Sequence, residues 1–226
     1  MTPWTELAHA RRPDGGELVL RHCAGIFELR CDGWELMSNR AHRSEEAMAR
    51  LACAELRDAP RVLIGGLGMG YTLRAALDTL PGSARVIVAE LVPDIIEWNR
   101  GALATLAGRP LDDARVGVHC GDVADLLAAS DRGFDAILLD LDNGPAAPIY
   151  RCAPRLYQRN GLASVRRSLG PDGVLAVWSA DRSEAFEDTM SACGFAWHGT
   201  DVSARADDDG PWHTIYLARR EATMVV

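Results

Sequence analysis

The chain has 226 residues and a mass of 24.5 kDa, a length typical of one main domain with a small addition. Hydrophobic residues make up 48% of the sequence and charged residues 25%, which excludes an intrinsically disordered chain. The 24 basic and 32 acidic residues give a net charge of −8 and a pI near 5.2. This charge argues against nucleic acid or an anionic membrane as a partner and suits a cationic substrate better.

The beginning of the chain is not expected to act as a targeting signal. Residues 1–16 lack the apolar segment of a signal peptide, and no stretch approaches the roughly eighteen consecutive apolar residues of a membrane span. We therefore expect a cytoplasmic protein. The cysteines are spread singly, without a C-x-x-C motif, and are predicted to be reduced thiols: Cys23, Cys31, Cys53, Cys120, Cys152 and Cys193.

Residues 17–38 predict a small antiparallel sheet. Short extended runs are broken at 24–25 (Ala-Gly) and at 32–33 (Asp-Gly), and Asp-Gly is a strong signal for a hairpin turn. Ser44 is then predicted to cap a helix with Glu45 and Glu46 in its first turn, which runs to about Leu56 before a break at 58–60. The sequence thus predicts two domains, an N-terminal unit over 1–58 and a main domain over 59–226.

The main domain alternates strands with helices. The strands lack polar alternation, as expected when helices cover both faces of a parallel sheet. The last two strands predict an antiparallel hairpin that completes the sheet, which gives a doubly wound, mostly parallel, seven-stranded α/β fold. The predicted strands are 61–65, 85–90, 115–119, 134–140, 173–179, 195–204 and 212–219, and the predicted helices are 72–80, 93–106, 122–130, 156–169 and 184–193.

The strongest local motif is a glycine-rich turn after the first strand of this domain. Residues 62–72, VLIGGLGMGYT, place Gly66, Gly68 and Gly70 between the strand and the following helix. Glycines allow a tight turn and a close approach of a ligand to the backbone, and the helix start offers free N–H groups. Tyr71 stands where the dinucleotide fingerprint has its third glycine, which argues against NAD or FAD.

Acidic residues follow the next three strands. Glu90 is placed to accept the hydroxyl protons of a ribose, Asp122 either caps a helix or meets an adenine amino group, and Asp140 ends the fourth strand. In open α/β sheets the ligand crevice lies beyond the carboxyl ends of the strands. We therefore expect these residues and the glycine-rich turn to converge on one ligand.

This order of features resembles the class I S-adenosylmethionine-dependent methyltransferase fold and, more narrowly, the spermidine/spermine synthase (polyamine aminopropyltransferase) family. GGLGMGYTLR at 65–74 is similar to the family's GGGDGGTLR, and VAELVPDIIE at 88–97 to its VEIDPxVIE. The GD pair at 121–122 and FDAILLDLDNGP at 134–145 are similar to further family motifs. With the N-terminal strands and helix, the resemblance covers nearly the whole chain.

The resemblance implies a transferase that takes S-adenosylmethionine or its decarboxylated form as donor and a polyamine or other amine as acceptor. It implies that the three glycines line the methionine end of the donor, that Glu90 contacts the ribose and that Asp122 contacts the adenine. Asp140 is implied as the catalytic carboxylate, and Asp142 either binds a second ammonium group or is a solvated loop acid. The resemblance further implies a homodimer built with the N-terminal strands.

The chain departs from the family motifs mainly around the substrate. Met69 replaces the aspartate that in the family helps hold the donor's amino group, and Val92 replaces the aspartate of the EID motif. The hairpin lacks the family's glutamine, and the next helix has Ser-Glu-Glu at 44–46 in place of its Tyr-His-Glu. These changes affect acceptor and aminopropyl recognition more than nucleotide recognition. An S-adenosylmethionine-dependent small-molecule methyltransferase and a non-catalytic nucleotide-binding module therefore stay open as alternatives.

No metal site is predicted. The His-Cys pairs at 22–23 and 119–120 are sequence neighbours in predicted strands. Neighbouring residues of a strand point to opposite faces, so neither pair forms a two-ligand site by itself.

Overall fold

The computed structural model of the chain describes residues 3–130, 133–141, 143–145, 153–205 and 210–220. Its N-terminal part is a four-stranded antiparallel sheet with the strands in chain order. The strands are β1 Thr5–Arg11, β2 Glu17–Cys23, β3 Ile26–Cys31 and β4 Trp34–Ser38.

The turns of this sheet confirm the predicted breaks. Ala24 and Gly25 have φ of 49° and 83°, and Asp32 and Gly33 have φ of 49° and 85°, so all four lie in the left-handed region that tight hairpin turns require. The sequence did not predict β1. Its side chains are largely exposed along an edge of the sheet, so it carries no apolar periodicity that could reveal it.

The first helix, α1, spans Arg43–Cys53 and differs from the prediction at both ends. Its N-cap residue is His42, without a side-chain capping bond, so the prediction that Ser44 caps the helix is wrong. Ser44 is fully buried in the first turn, where its hydroxyl bonds to other side chains of the protein. The helix ends three residues before Leu56, and a turn follows that places Asp58 and Ala59 at positive φ.

The main sheet has seven strands in the order β10-β11-β9-β8-β5-β6-β7. The pairs from β9 to β7 are parallel, whereas β11 runs antiparallel to both β9 and β10, which confirms the predicted closing hairpin. The strands are β5 Arg61–Gly65, β6 Arg85–Glu90, β7 Val116–Cys120, β8 Phe134–Leu139, β9 Leu169–Ser179, β10 Phe195–Ser203 and β11 Trp212–Arg220. The helices between them are α2 Tyr71–Thr79, α3 Pro93–Arg100, α4 Val123–Ala129, α5 Ala153–Tyr157, α6 Arg159–Ser168 and α7 Glu184–Ala192.

Two predicted helices differ from the structure. The helix expected over 93–106 ends at Arg100, because Gly101 takes a non-helical conformation, and the chain continues in turns. The helix expected over 156–169 is two helices, α5 and α6, and Leu169 already belongs to the next strand. The doubly wound α/β architecture itself is as predicted.

The two sheets share one hydrophobic core. Leu18, Leu20 and Leu29 of the N-terminal sheet belong to the same buried cluster as Val62 and Ile64 of the central strand β5. Helix α1 packs against α2 and β9, so it joins the two parts. Among the described residues, no helix is long and apolar enough to cross a membrane.

Candidate functional site

A cavity of about 320 Å³ lies at the carboxyl ends of the parallel strands, where a doubly wound fold binds its ligands. One wall comes from the main sheet, through the glycine-rich turn and the ends of β6 and β8. The other comes from the N-terminal part, through Glu35, Leu36 and Met37 of β4 and Glu45 of α1. The N-terminal sheet therefore covers the crevice.

The glycine-rich turn forms the floor of this cavity. Gly66 has a φ of 92°, and a Cβ atom there would collide with the backbone carbonyl of Asp140. A Cβ at Gly68, whose φ is 51°, would lie 2.8 Å from Cε of Met37. The positive φ at both positions favours glycine, and at Gly66 the carbonyl of Asp140 leaves no room for a side chain. Gly70, the N-cap residue of α2, faces Asn99 and does not line the cavity.

Glu90 ends β6 and is 6% exposed at the cavity wall. Its two carboxylate oxygens accept backbone N–H groups of Leu67 at 3.0 Å and Val92 at 2.9 Å. Burial raises the pKa of Glu90, and these backbone donors oppose the rise. Glu90 therefore holds the glycine-rich turn in place and also presents a carboxylate to the cavity.

Asp122 combines the two roles that its sequence position left open. It is the N-cap residue of α4, and its Oδ1 accepts the backbone N–H of Ala124 at 2.8 Å, so the capping role is real. Asp122 also lines the cavity beside Gly121. Capping occupies one oxygen and leaves the other free to accept a ligand donor.

Asp140 follows β8 and lines the cavity, whose described lining contains no arginine or lysine. Its backbone N–H donates to the carbonyl of Gly65 at 2.8 Å, which fixes the residue at the end of the sheet. The hydroxyl of Thr72 donates to Oδ2 of Asp140 at 2.5 Å. Burial raises the pKa of Asp140 to about 6, and the bond from Thr72 opposes this rise. Such a carboxylate is suited to accept a proton near neutral pH.

The structure thus brings Gly66, Gly68, Glu90, Asp122 and Asp140 to one cavity. The predicted substrate-binding residue Asp142 lies outside the described residues.

Met69, which stands where the family motif has an aspartate, points away from the cavity. Met69 is 2% exposed and belongs to the hydrophobic core. The turn therefore offers no carboxylate at this position.

Sequence reasoning missed a group of polar side chains around Ser44 and Glu45. Glu45 was assigned only to the first turn of a helix, yet it lines the cavity and is 9% exposed. The hydroxyl of Ser44 lies 2.6 Å from Oε2 of Glu45, 2.9 Å from Nδ1 of His213 and 3.0 Å from Nε1 of Trp178. The available signal was the register of residues 44–46 with the family's Tyr-His-Glu.

Within the described part of the chain, no three His, Cys, Asp or Glu side chains are grouped so that they could hold a metal ion. The cavity is instead a polar crevice with an apolar wall of Leu36, Met37 and Trp178. Carboxylates, a glycine cradle and apolar surface suit an organic ligand that carries hydroxyl and amino groups.

The sheet order, with the glycine-rich turn and the acidic strand ends at the carboxyl edge, is that of the class I methyltransferase-like fold. The model of the spermine/spermidine synthase domain matches residues 41–191, which is well over half of the chain. The chain belongs to the spermine/spermidine synthase family.

Similar proteins support this assignment. The chain is 33% identical over 132 residues to a polyamine aminopropyltransferase of Nitrosomonas europaea, which covers 58% of this chain and 39% of that protein. It is 34% identical over 160 residues to polyamine aminopropyltransferase 2 of Streptomyces coelicolor, which covers 67% of this chain and 28% of that protein. The chain spans less than half the length of these curated relatives.

Solved structures share the fold. Spermidine synthase from Thermotoga maritima superimposes with a TM-score of 0.75 at 17% identity and covers 95% of this chain and 72% of its own. A spermidine synthase in complex with the transition state analogue AdoDATO gives a TM-score of 0.72, also at 17% identity, over 97% of this chain and 74% of its own.

Proposed function

We propose that the protein is an aminopropyltransferase that moves the aminopropyl group of decarboxylated S-adenosylmethionine to an amine or polyamine. The observation that carries the proposal is the convergence of the glycine-rich turn, Glu90, Asp122 and Asp140 on one cavity. The names of the relatives, which are polyamine aminopropyltransferases, support the same chemistry.

On this proposal, the main-sheet side of the cavity binds the donor. Gly66 and Gly68 leave space for the backbone to meet the methionine-derived chain, and Gly70 supports the turn as the helix cap. Glu90 accepts the ribose hydroxyls, and the free oxygen of Asp122 accepts the adenine amino group. Both glycines line the cavity without a side chain, so their backbone can approach the donor closely.

Asp140 acts as the catalytic carboxylate. The acceptor enters as an ammonium ion, loses one proton to the carboxylate, and its nitrogen lone pair forms a bond to the aminopropyl carbon next to sulfur. The carbon–sulfur bond breaks, and its electron pair stays on sulfur, which becomes a neutral thioether. Because the sulfonium is already a good leaving group, the protein has to supply mainly alignment and a base.

A transfer assay tests this function directly. The protein is incubated with S-adenosylmethionine or its decarboxylated form and a panel of amines, and products are read by mass spectrometry. The expected result is a product heavier by an aminopropyl group, formed only with the decarboxylated donor. A methylated product, or no product with either donor despite tight donor binding, would contradict the proposal.

One observation favours a second candidate, a small-molecule methyltransferase. The family's aspartate for the donor's amino group is replaced by Met69, which is buried in the core. The turn thus lacks one contact that would hold an aminopropyl chain. The same mass spectrometric assay separates the two reactions, because one product gains a methyl group and the other an aminopropyl group.

We also propose a homodimer that forms through the N-terminal sheet. Trp34 is 81% exposed, and Leu7 and Trp4 of the same part are 44% and 38% exposed, which makes these side chains candidates for a subunit contact. Light scattering should give a mass near twice 24.5 kDa. A monomer at micromolar concentration would contradict the dimer.

We propose a cytoplasmic location. The described cysteines are free thiols, which suits a reducing compartment: Cys23, Cys31, Cys53, Cys120 and Cys193. Fractionation of producing cells followed by immunoblotting tests this, and recovery outside the cytoplasmic fraction would contradict it.

A further inference from the structure

The described lining of the cavity is strongly acidic. Its described lining contains five carboxylates and no arginine or lysine: Glu35, Glu45, Glu90, Asp122 and Asp140. The lining has one imidazole, His213, and burial lowers the pKa of His213, so it is not a strong counter-charge. Glu90 and Asp122 accept backbone N–H groups, and Glu45 accepts the hydroxyl of Ser44, but no arginine or lysine of the described lining neutralises Glu45 and Asp140.

Glu45 and Asp140 come from different parts of the fold and meet in the cavity. Glu45 is in the first turn of α1, and Asp140 follows β8. Burial, followed by the charge of Asp140, raises the pKa of Glu45 to about 8. Two buried carboxylates without a cation between them are unfavourable, and a positively charged ligand group would remove that penalty.

The hydroxyl of Ser44 orients Glu45. A serine hydroxyl has one proton to donate and can accept two hydrogen bonds. Trp178 can only donate, so its indole N–H must donate to Ser44. When Glu45 is ionised, Ser44 donates to it over 2.6 Å, and Nδ1 of His213 must then carry a proton and donate to Ser44. This order, His213 to Ser44 to Glu45, supports the ionised carboxylate.

We propose that Glu45 is a second acidic residue of the acceptor site, which binds the reacting ammonium group together with Asp140. Ser44 and His213 are positioning residues that act through Glu45. The inference deepens the proposed function and rests on it for the identity of the acceptor. The ligand class is a primary alkyl ammonium, whose three N–H donors can serve both carboxylates at once. The proton that the amine loses before attack stays on this carboxylate pair.

Acceptor binding is the first test. Calorimetric titration with 1,4-diaminobutane compares the wild-type protein with Glu45→Gln, which keeps the shape of the side chain and removes its charge. The expected loss of affinity is roughly tenfold to hundredfold, the range for a hydrogen bond to a charged group. Affinity within twofold of wild type in a folded variant would overturn the proposal.

The neighbouring acid provides a matched control. Glu46 pairs with His42 and Arg50 at 2.9 and 2.7 Å and does not line the cavity. Glu46→Gln makes the same charge change one residue away and should leave diamine affinity within twofold of wild type. An equal loss in both variants would show a general effect of net charge and would overturn the assignment to Glu45. If Glu45→Gln does not fold, Glu45→Met, which has a similar length and also removes the charge, serves in its place, and wild-type affinity there would overturn the proposal.

The positioning role has its own readout. His213→Asn keeps a side-chain N–H near the place of Nδ1, whereas His213→Leu removes it. We expect the leucine variant to raise KM for the diamine roughly tenfold with a smaller change in kcat, and the asparagine variant to restore most of the loss. Equal behaviour of the two variants would overturn the positioning role.

The outcomes separate the two proposals. If the wild-type protein transfers an aminopropyl group and Glu45→Gln binds diamine normally, the function stands and the Glu45 inference fails. If no transfer occurs but diamine affinity drops only in Glu45→Gln, the ammonium site stands and the proposed reaction fails.

Discussion

The two walls of the cavity are built in different ways. The main-sheet wall consists of a glycine-rich turn and carboxylates that end successive strands, so its residues recur at regular places in the fold. The N-terminal wall is made from a hairpin and the start of α1, whose side chains depend on packing between distant segments. The comparison teaches that the main-sheet wall follows from the topology of the fold, whereas the N-terminal wall follows from side-chain packing between segments that are distant in sequence.

The largest expected effect comes from Asp140, where the two walls meet. Asp140→Asn should lower turnover by about 10² to 10⁴-fold, because it removes the base, while donor affinity stays close to wild type. Single-turnover kinetics and donor titration measure the two quantities. Asp94→Asn, at an exposed position of α3, makes the same chemical change outside the cavity and should keep full activity. Retained turnover in Asp140→Asn would remove the catalytic assignment.

A smaller effect, on donor affinity, is expected from a change in the main-sheet wall. Gly66→Ala places a methyl group against the carbonyl of Asp140 at a positive φ, which should displace the turn. We expect donor affinity to fall roughly tenfold to hundredfold and stability to fall by about 1–3 kcal/mol. Gly82→Ala is the control, since a Cβ there meets no atom within 4 Å. Unchanged donor binding in Gly66→Ala would show that the turn does not cradle the donor.

Glu45 in the N-terminal wall should make the stability of the protein depend on pH. Burial raises the pKa of Glu45 from 4.5 to about 8, so between these values the folded protein keeps a proton that the unfolded chain has lost. Raising the pH therefore favours unfolding in this range. Between pH 6.5 and 8 the contribution of Glu45 to this fall should be about 1–2 kcal/mol.

Urea denaturation at several pH values measures this effect, and Glu45→Gln isolates it from the similar contribution of Glu90. The variant should show a flatter profile and a higher stability at pH 8 than the wild type. A profile as steep as that of the wild type would mean that Glu45 is not the group that titrates.

The smallest effect separates the two roles of Asp122. Asp122→Ala should lower stability by about 1 kcal/mol through loss of the cap. Asp122→Ser keeps a capping oxygen, so it should recover stability but still bind the donor more weakly than wild type. Ser183 caps α7 away from the cavity, and Ser183→Ala should cost similar stability with normal donor affinity. Full donor affinity in Asp122→Ser would leave Asp122 a cap only.

Much of the fold could be predicted because its signals are local. Apolar runs such as 61–65 and the Asp-Gly turn at 32–33 act over a few residues, and the strand-end carboxylates follow from the topology. Ser44 shows the limit of this reasoning. Its position suggested a cap, but its hydroxyl bonds to Trp178 and His213, which lie 134 and 169 residues further along the chain. No pattern around Ser44 encodes those partners.

The hydrophobic core shared by the two sheets limits how ligands can enter the cavity. Lifting the N-terminal sheet as a lid would expose Leu18, Leu20 and Leu29, each at a cost of about 1.5–3 kcal/mol. We therefore expect ligands to enter the cavity when individual side chains rotate. Met37 is partly accessible and lies next to Gly68. We expect its side chain to control access to the cavity, because an unbranched thioether changes rotamer easily.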